Sequence, residues 1–377
     1  MKIAIVSERR SYLFQLAIEL MKHNDVEVVL YSMLPVSRCR KIGYKGKVVS
    51  SAFPLILIAA IIEKIPLLNP YKRSSLRIRL RFFYDWYVSK QLKKCDVLIG
   101  SNGSTVKSSI KAKKKWGTIT ICDQGSSHIL AQNAVRKSYS NIEPPIVNTN
   151  YMLRHYDVAD YLMTPSVYVK ETDIANGISE GKILYNPYGV DLNVFKPTEI
   201  AINNCYDVIM VGAWWKHKAC DMLAEACINR LGVRLLHVGT VIDCELPKSA
   251  LFKHIDFVPE SELPKYYAQA KVFAMPSLDE GLGLVQLQAA ACGLPVVGST
   301  RSGVIDVARL LNNPESCITV VEPITVDSIA IAIQHSLQYA ATQPKGLRTQ
   351  YGDLVHNLSW EAYGSRYYEI IKQIINK

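Results

Sequence analysis

The sequence predicts an α/β protein made of two doubly wound domains, each a parallel sheet with helices on both faces. Two observations lead there. At 377 residues the chain is long enough for two domains, each with its own core. Short apolar strands alternate with helix-patterned stretches, and the alternation restarts after a polar stretch near residue 200. With 49% apolar and 20% charged residues the composition is that of a soluble globular chain, although a mean hydropathy of +0.07 is on the apolar side.

The first strand is read at residues 3–6, after Met1-Lys2 and before the polar Ser7-Glu8-Arg9-Arg10. Its apolar run is too short for a secretion signal. An apolar-rich helix follows at 13–21, then strands at 26–31, 97–99, 118–122 and 161–163, the last ending at Thr164-Pro165. The first strand is followed by Ser7-Glu8-Arg9-Arg10-Ser11 and not by Gly-x-Gly-x-x-Gly, so this half is not expected to bind a dinucleotide.

Residues 51–94 interrupt the pattern. An apolar run at 52–62 is too short to span a bilayer and stops at Glu63-Lys64. Beyond it, Tyr71-Lys72-Arg73 and the stretch from Arg77 to Tyr87 interleave arginines with Phe82, Phe83, Tyr84, Trp86 and Tyr87. That composition suits a segment lying in a membrane interface. It suits equally a buried helix pair with its arginines in solvent, and both readings stay open.

The net charge of +11 is unevenly spread. Residues 1–150 hold 25 Lys/Arg against 9 Asp/Glu, a net +16, and the remainder nets −5. No nucleic-acid-binding module accompanies the basic half, so a nucleic-acid partner is not expected. The nine cysteines are odd in number and form no Cys-x-x-Cys pair, which fits free thiols in a reducing cytoplasm and gives no support for a zinc site.

The richest passage begins at the apolar 272–275, which ends at Pro276-Ser277. Asp279-Glu280-Gly281-Leu282-Gly283-Leu284 follows, then a helix-patterned run through Gln288 that Gly293 closes. Such a strand–loop–helix unit leaves backbone N–H groups unpaired where a phosphate would be favoured. A carboxylate at 280 would repel a diphosphate, so it is better placed to accept hydrogen bonds from sugar hydroxyls. The plainer reading is an ordinary βα unit whose glycines serve only chain geometry.

The passage as a whole resembles the signature of family-four retaining glycosyltransferases of the GT-B fold: Pro-Ser, an acid, Gly-x-Gly-Leu, then Ala-x-Ala-Cys-Gly-x-Pro-Val-Val. The resemblance implies that Glu280 binds donor-sugar hydroxyls and that amides of Gly281, Leu282, Gly283 and Leu284 hold a diphosphate. The family has a ribose-binding Glu where this chain has Gln288. Gly212-Ala213, then Lys218-Ala219-Cys220-Asp221, is similar to the family's Gly-Arg…Lys-Gly-x-Asp element, whose cations neutralise the diphosphate. Lys218 matches, Ala213 replaces the Arg and Ala219 the Gly, and Lys216 is the candidate for the missing charge. Arg and Lys are not equivalent at a diphosphate. By the same resemblance, backbone near Val258 reads the base and His128 lies near the donor sugar. The catalytic candidates are therefore Glu280, Lys218 and His128. Acceptor-binding candidates in the first half are Arg9, Arg10, Asp123 and Ser126. The likeness covers about residues 160–370 well and 1–160 only in fold pattern.

The expectation is a GT-B protein with an acceptor-binding domain at 1–199, joined by the amphipathic helix at 360–377, and a donor-binding domain at 200–359. It would transfer a sugar from a UDP- or GDP-linked donor to a hydroxyl of a lipid-linked or polysaccharide acceptor. No cofactor or metal is expected, since no Asp-x-Asp stands in the chain. Peripheral contact with the inner face of the membrane would run through the basic, aromatic half. A GT-B sugar-nucleotide epimerase and a non-catalytic GT-B partner are the alternatives.

Overall fold

A computed structural model describes residues 1–50, 54, 55, 57, 58, 61, 70–140, 146–197, 206–312, 317–342 and 352–376. The expected boundary at 199/200 lies outside them, as do Cys205 and most of the apolar run at 52–62.

Two parallel sheets organise the chain. The first holds β1 (Lys2–Ser7), β2 (Glu27–Ser32), β3 (Lys47–Ser50), β4 (Val97–Ser101), β5 (Ile119–Asp123), β6 (Tyr161–Thr164) and β7 (Ile183–Tyr185), in the order β3-β2-β1-β4-β5-β6-β7. The second holds β8 (Tyr206–Val211), β9 (Leu235–Val238), β10 (Phe252–Ile255), β11 (Ala270–Met275), β12 (Val296–Ser299) and β13 (Ile318–Val321), in the order β10-β9-β8-β11-β12-β13. In both, the order reverses beside the first strand of the sheet, where doubly wound folds place ligands. The central strands are apolar on both faces because helices cover both: Ile3, Ile5 and Val6 are fully buried, as are Val208, Ile209 and Met210.

One strand falls earlier than expected. Residues 254–258 read as a strand, but β10 stops at Ile255, where its pairing with β9 ends at Ile255↔Val238. Phe257 is 74% exposed beyond that end, so Val258 belongs to a loop at the carboxyl edge of the sheet.

The basic, aromatic stretch is a single helix, Pro70–Gln91, laid on the first sheet. Tyr84 and Val88 are fully buried beneath it, while Phe83 and Trp86 face outward. Asp85 is buried too, and fully paired: its carboxylate accepts from the amides of Lys107 (2.7 Å) and Ser108 (3.0 Å) and from the Tyr151 hydroxyl (2.5 Å). Burial raises its pKa, and these donors oppose the shift by supporting the anion. The aspartate thereby caps the helix Val106–Trp116 and locks the two helices together. No described helix is long and apolar enough to cross a membrane.

At the other end of the chain, the helix Trp360–Ile375 packs on the helix Tyr12–Leu20 of the first sheet. Gly364 is what permits the approach, since a Cβ there would lie 2.2 Å from Glu19 Cβ. Arg366 clamps the crossing by donating to Asn186 Oδ1 (2.9 Å) and the Pro187 carbonyl (2.8 Å). The eight described cysteines are all buried.

Candidate active site

The site forms where the carboxyl ends of the two sheets face each other. On the second sheet, β8 and β11 are neighbours, so the turns that follow them lie side by side. Lys218 comes from the first turn and Glu280 from the second. Their side chains meet, Lys218 Nζ lying 3.0 Å from Glu280 Oε2 with both groups largely shielded. Lys218 Nζ also lies 3.2 Å from Met275 Sδ at the end of β11. The Glu280 amide donates to the Arg301 carbonyl at 2.9 Å, which fixes the loop and leaves the side chain to turn toward the lysine.

Gly283 is the N-cap of the helix Leu284–Ala291. Leu282 is buried under the loop. Gly281 touches the other half of the molecule: a Cβ there would lie 2.2 Å from the carbonyl oxygen of Gly125, just past β5. Only glycine lets the two loops come this close. In the other turn, Ala219 stands where the resembled element has Gly, and its φ of +52° is the left-handed conformation that suits glycine. The turn has kept its shape without the residue that favours it. Lys216 is exposed beside it and its amide donates to Asp243 Oδ1 (2.8 Å). Position 213, where the resembled element has Arg, carries only a methyl group.

Gln288 is 5% exposed and committed at both ends. Its Oε1 accepts from the Tyr267 hydroxyl (3.2 Å), and its Nε2 donates to Glu260 Oε1 (3.4 Å). Glu260 Oε2 in turn lies 3.3 Å from a guanidinium nitrogen of Arg10, across the cleft. The amide is thus the inner end of a chain that crosses between the sheets.

Two of the expected residues in the first half have other work. His128 is 1% exposed, its Nδ1 accepts from the Leu130 amide (3.3 Å), and its ring stacks on Tyr156. Burial drops its pKa to about 4, so the ring is neutral. It caps the helix Ile129–Tyr139 and is not open to the cleft. Asp123 is also 1% exposed; its Oδ2 accepts from Tyr367 at 2.9 Å, and burial lifts its pKa to about 7. That carboxyl ties the returning C-terminal helix to β5 and does not line the cleft. Ser126 and Arg9 are exposed, Ser126 beside Gly281 and Arg9 at the end of β1.

Sequence reasoning missed the bonds that hold the halves together. Asp279 accepts from the Tyr168 hydroxyl (2.9 Å) and lies 3.5 Å from His217 Nε2, whose Nδ1 pairs with the Tyr139 hydroxyl (3.0 Å). Burial pulls the His217 pKa down, against the pull of Asp279. Tyr185 (2.6 Å) and the Val167 amide (3.1 Å) both donate to Asp306. In sequence these are isolated tyrosines and acids far apart, and nothing in their spacing pairs them. Asp279 was visible only as the residue before Glu280.

Residues 205–338 match the family model described as glycosyl transferases group 1. The chain is 37% identical over 86 residues to the O-antigen chain mannosyltransferase B of Escherichia coli, covering 23% of this chain and 21% of that protein. It is 35% identical over 137 residues to the GDP-mannose-dependent alpha-(1-6)-phosphatidylinositol monomannoside mannosyltransferase of Mycolicibacterium smegmatis, covering 32% and 33%. The match thus spans a third or less of the length of these curated relatives. In fold it resembles Alr3699/HepE of Anabaena, solved in complex with UDP-glucose, at a TM-score of 0.63 and 14% identity over 99% of this chain and 100% of that one. The match to the glycosyl transferases group 1 is thus confined to residues 205–338, and the whole chain has the two-sheet GT-B fold.

Proposed function

We propose that the protein transfers a sugar from a nucleotide-sugar donor to a hydroxyl of a membrane-linked saccharide, with retention of configuration and without a metal. The observation that carries this reading is the Lys218–Glu280 pair at the mouth of the Gly281–Gly283 loop. A lysine beside unpaired loop amides suits a leaving diphosphate, and a carboxylate beside it suits sugar hydroxyls. In the step, the bond from the sugar's C1 to the diphosphate oxygen breaks and a bond from C1 to the acceptor oxygen forms. The acceptor's proton passes to the departing diphosphate, so no side chain has to act as base. Lys218 and the loop amides stabilise the charge that develops on the leaving group.

The mannosyltransferase relatives favour a lipid-linked or polysaccharide acceptor and a GDP-linked donor; the HepE likeness keeps a UDP-linked donor in view. The outward Phe83 and Trp86, with Lys90 5.8 Å from the Trp86 ring, suit the peripheral membrane contact that such an acceptor needs. Incubation of the purified chain with a panel of UDP- and GDP-sugars, followed by detection of released nucleoside diphosphate, tests the reading. Slow hydrolysis of one donor supports it; release from none would leave a non-catalytic GT-B partner, which Ala213 and Gln288 favour.

A further inference from the structure

We infer that the acceptor carries an anionic phosphate group, bound by arginines on the first-sheet side of the cleft. The inference rests on the transferase reading and names the acceptor's chemistry. A cavity of about 530 Å³ opens at the carboxyl ends of β1 and β4, and Glu8, Arg9, Arg77, Arg81, Arg136 and Asn148 are among the residues that line it. These residues come from four separate segments: Glu8 and Arg9 follow β1, Arg77 and Arg81 lie on the helix Pro70–Gln91, Arg136 lies on Ile129–Tyr139, and Asn148 on Ile146–Val158.

Among the described lining residues, four guanidinium groups accompany one carboxylate, and that one is engaged: Glu8 Oε1 lies 3.0 Å from Arg81 Nε. Neither Arg9 nor Arg136 has a carboxylate partner among the described residues. Cations gathered in a concave site repel one another and focus a positive field that an anion relieves. Arginine is also the side chain whose planar fork matches phosphate oxygens two at a time. A solvated basic face would be convex, with its charges fanned outward. This one lines a cavity at the strand ends. Arg136 comes from the same helix as Tyr139, which bonds His217 of the other half, so the cavity reaches toward the donor side. A neutral sugar would leave Arg9 and Arg136 without an anionic partner. A phosphate, either on a soluble sugar or on the lipid that anchors a saccharide, pairs them.

The test is titration calorimetry on the full chain, with UDP and GDP present to occupy the diphosphate site. The probes are mannose, mannose 6-phosphate, and phosphatidylcholine vesicles with and without phosphatidylinositol. At least one phosphate-bearing probe is expected to bind roughly tenfold more tightly than its neutral counterpart, with affinity falling as salt rises. Preference for mannose 6-phosphate names a soluble source, and preference for the phosphatidylinositol vesicles a lipid one. The double variant Arg9→Gln/Arg136→Gln should erase the preference, and Arg81→Lys, which keeps the charge beside Glu8, should retain part of it. Equal binding of charged and neutral probes, or a preference untouched by the double variant, overturns the inference. Nucleotide binding is measured in the same protein, so a failure of the donor reading shows up separately.

Discussion

The two sides of the cleft are built on the same sheet order but prepare it differently. The second half brings backbone to the site: a glycine loop, a helix start, and one shielded lysine–glutamate pair. The first half brings long side chains: four arginines on three segments, over a half that nets +16. A backbone site depends on shape, so its residues are contiguous and small. A side-chain site depends on charge, so its residues scatter along the chain and are gathered only by the fold.

The largest effect should come from the point where the two sides touch. Gly281→Ala places a Cβ 2.2 Å from the Gly125 carbonyl, so the loops must part. A displacement of about 1 Å costs on the order of a hundredfold in turnover. Gly125→Ala meets only ordinary contacts at 3.6 and 3.7 Å, to Tyr12 and Tyr188, and should cost less than about fivefold. Comparing kcat/KM of the two variants on whichever nucleotide sugar the donor panel identifies tests this, with melting temperatures as a control for folding. Equal losses would mean that the contact across the cleft is not what aligns the loop.

Next in size is Lys218→Ala, which should weaken free nucleoside diphosphate roughly ten- to a hundredfold while leaving the bare nucleoside nearly unchanged. Calorimetric titration with both ligands reads the difference directly. Equal losses for the two would remove the lysine from the phosphate and leave it as the partner of Glu280 alone.

This contrast explains what the sequence made legible. The order of alternating strands and helices was readable because strands buried on both faces must be apolar throughout. The loop from Asp279 to Leu284 was readable because close backbone approach demands glycine at fixed positions. Its partner turn was readable too, although Ala219 adopts a conformation that its side chain disfavours. The roles of His128 and Asp123 were not readable. Asp123 ends β5 and His128 follows it, at the carboxyl edge where a ligand-binding residue would sit, and only packing shows their polar atoms turned inward, His128 to Leu130 and Asp123 to Tyr367. Arg136 gave no signal, since one arginine on a polar helix looks the same whether it faces solvent or a cavity. Arg77 and Arg81 did stand out, but composition alone could not separate a membrane-facing arginine from one lining the cleft.

The buried carboxyls give the first half a pH dependence of its own. Asp123 and Asp173 both have folded-state pKa values raised to about 7 by burial. Between about pH 4 and pH 7 the folded chain therefore holds protons that the unfolded chain releases, and stability falls as pH rises through that window. Each contributes at most about 4 kcal/mol, the linkage equivalent of a shift of about three units. Asp123→Asn keeps an acceptor for Tyr367 and removes the titration, so urea unfolding midpoints should fall less between pH 5 and pH 8 than in the parent. An unchanged slope would mean that Asp123 ionises in the folded state at its ordinary pKa.

The smallest effect concerns Gln288 and decides whether the site is weakened or retuned. If the amide were merely a lost carboxylate, Gln288→Glu would restore a charge-assisted bond to a ribose diol and tighten donor binding. The geometry argues the other way. Nε2 donates to Glu260 Oε1, and a glutamate at 288 would set two carboxylates against each other at that 3.4 Å contact. The Tyr267 hydroxyl can donate to either side chain, so nothing compensates there, and Arg10 is already engaged with the far oxygen of Glu260. Gln288→Glu should therefore weaken donor binding by at least about threefold, since a like-charge pair costs that much even on a surface and position 288 is buried. Adding Glu260→Gln to it removes the repulsion and should recover most of that loss. A Gln288→Glu protein that binds donor more tightly by itself would show that the amide is a defect in an otherwise conventional site. Recovery only in the double variant would show that 260 and 288 act as one unit, with the acid moved from the helix to the facing loop.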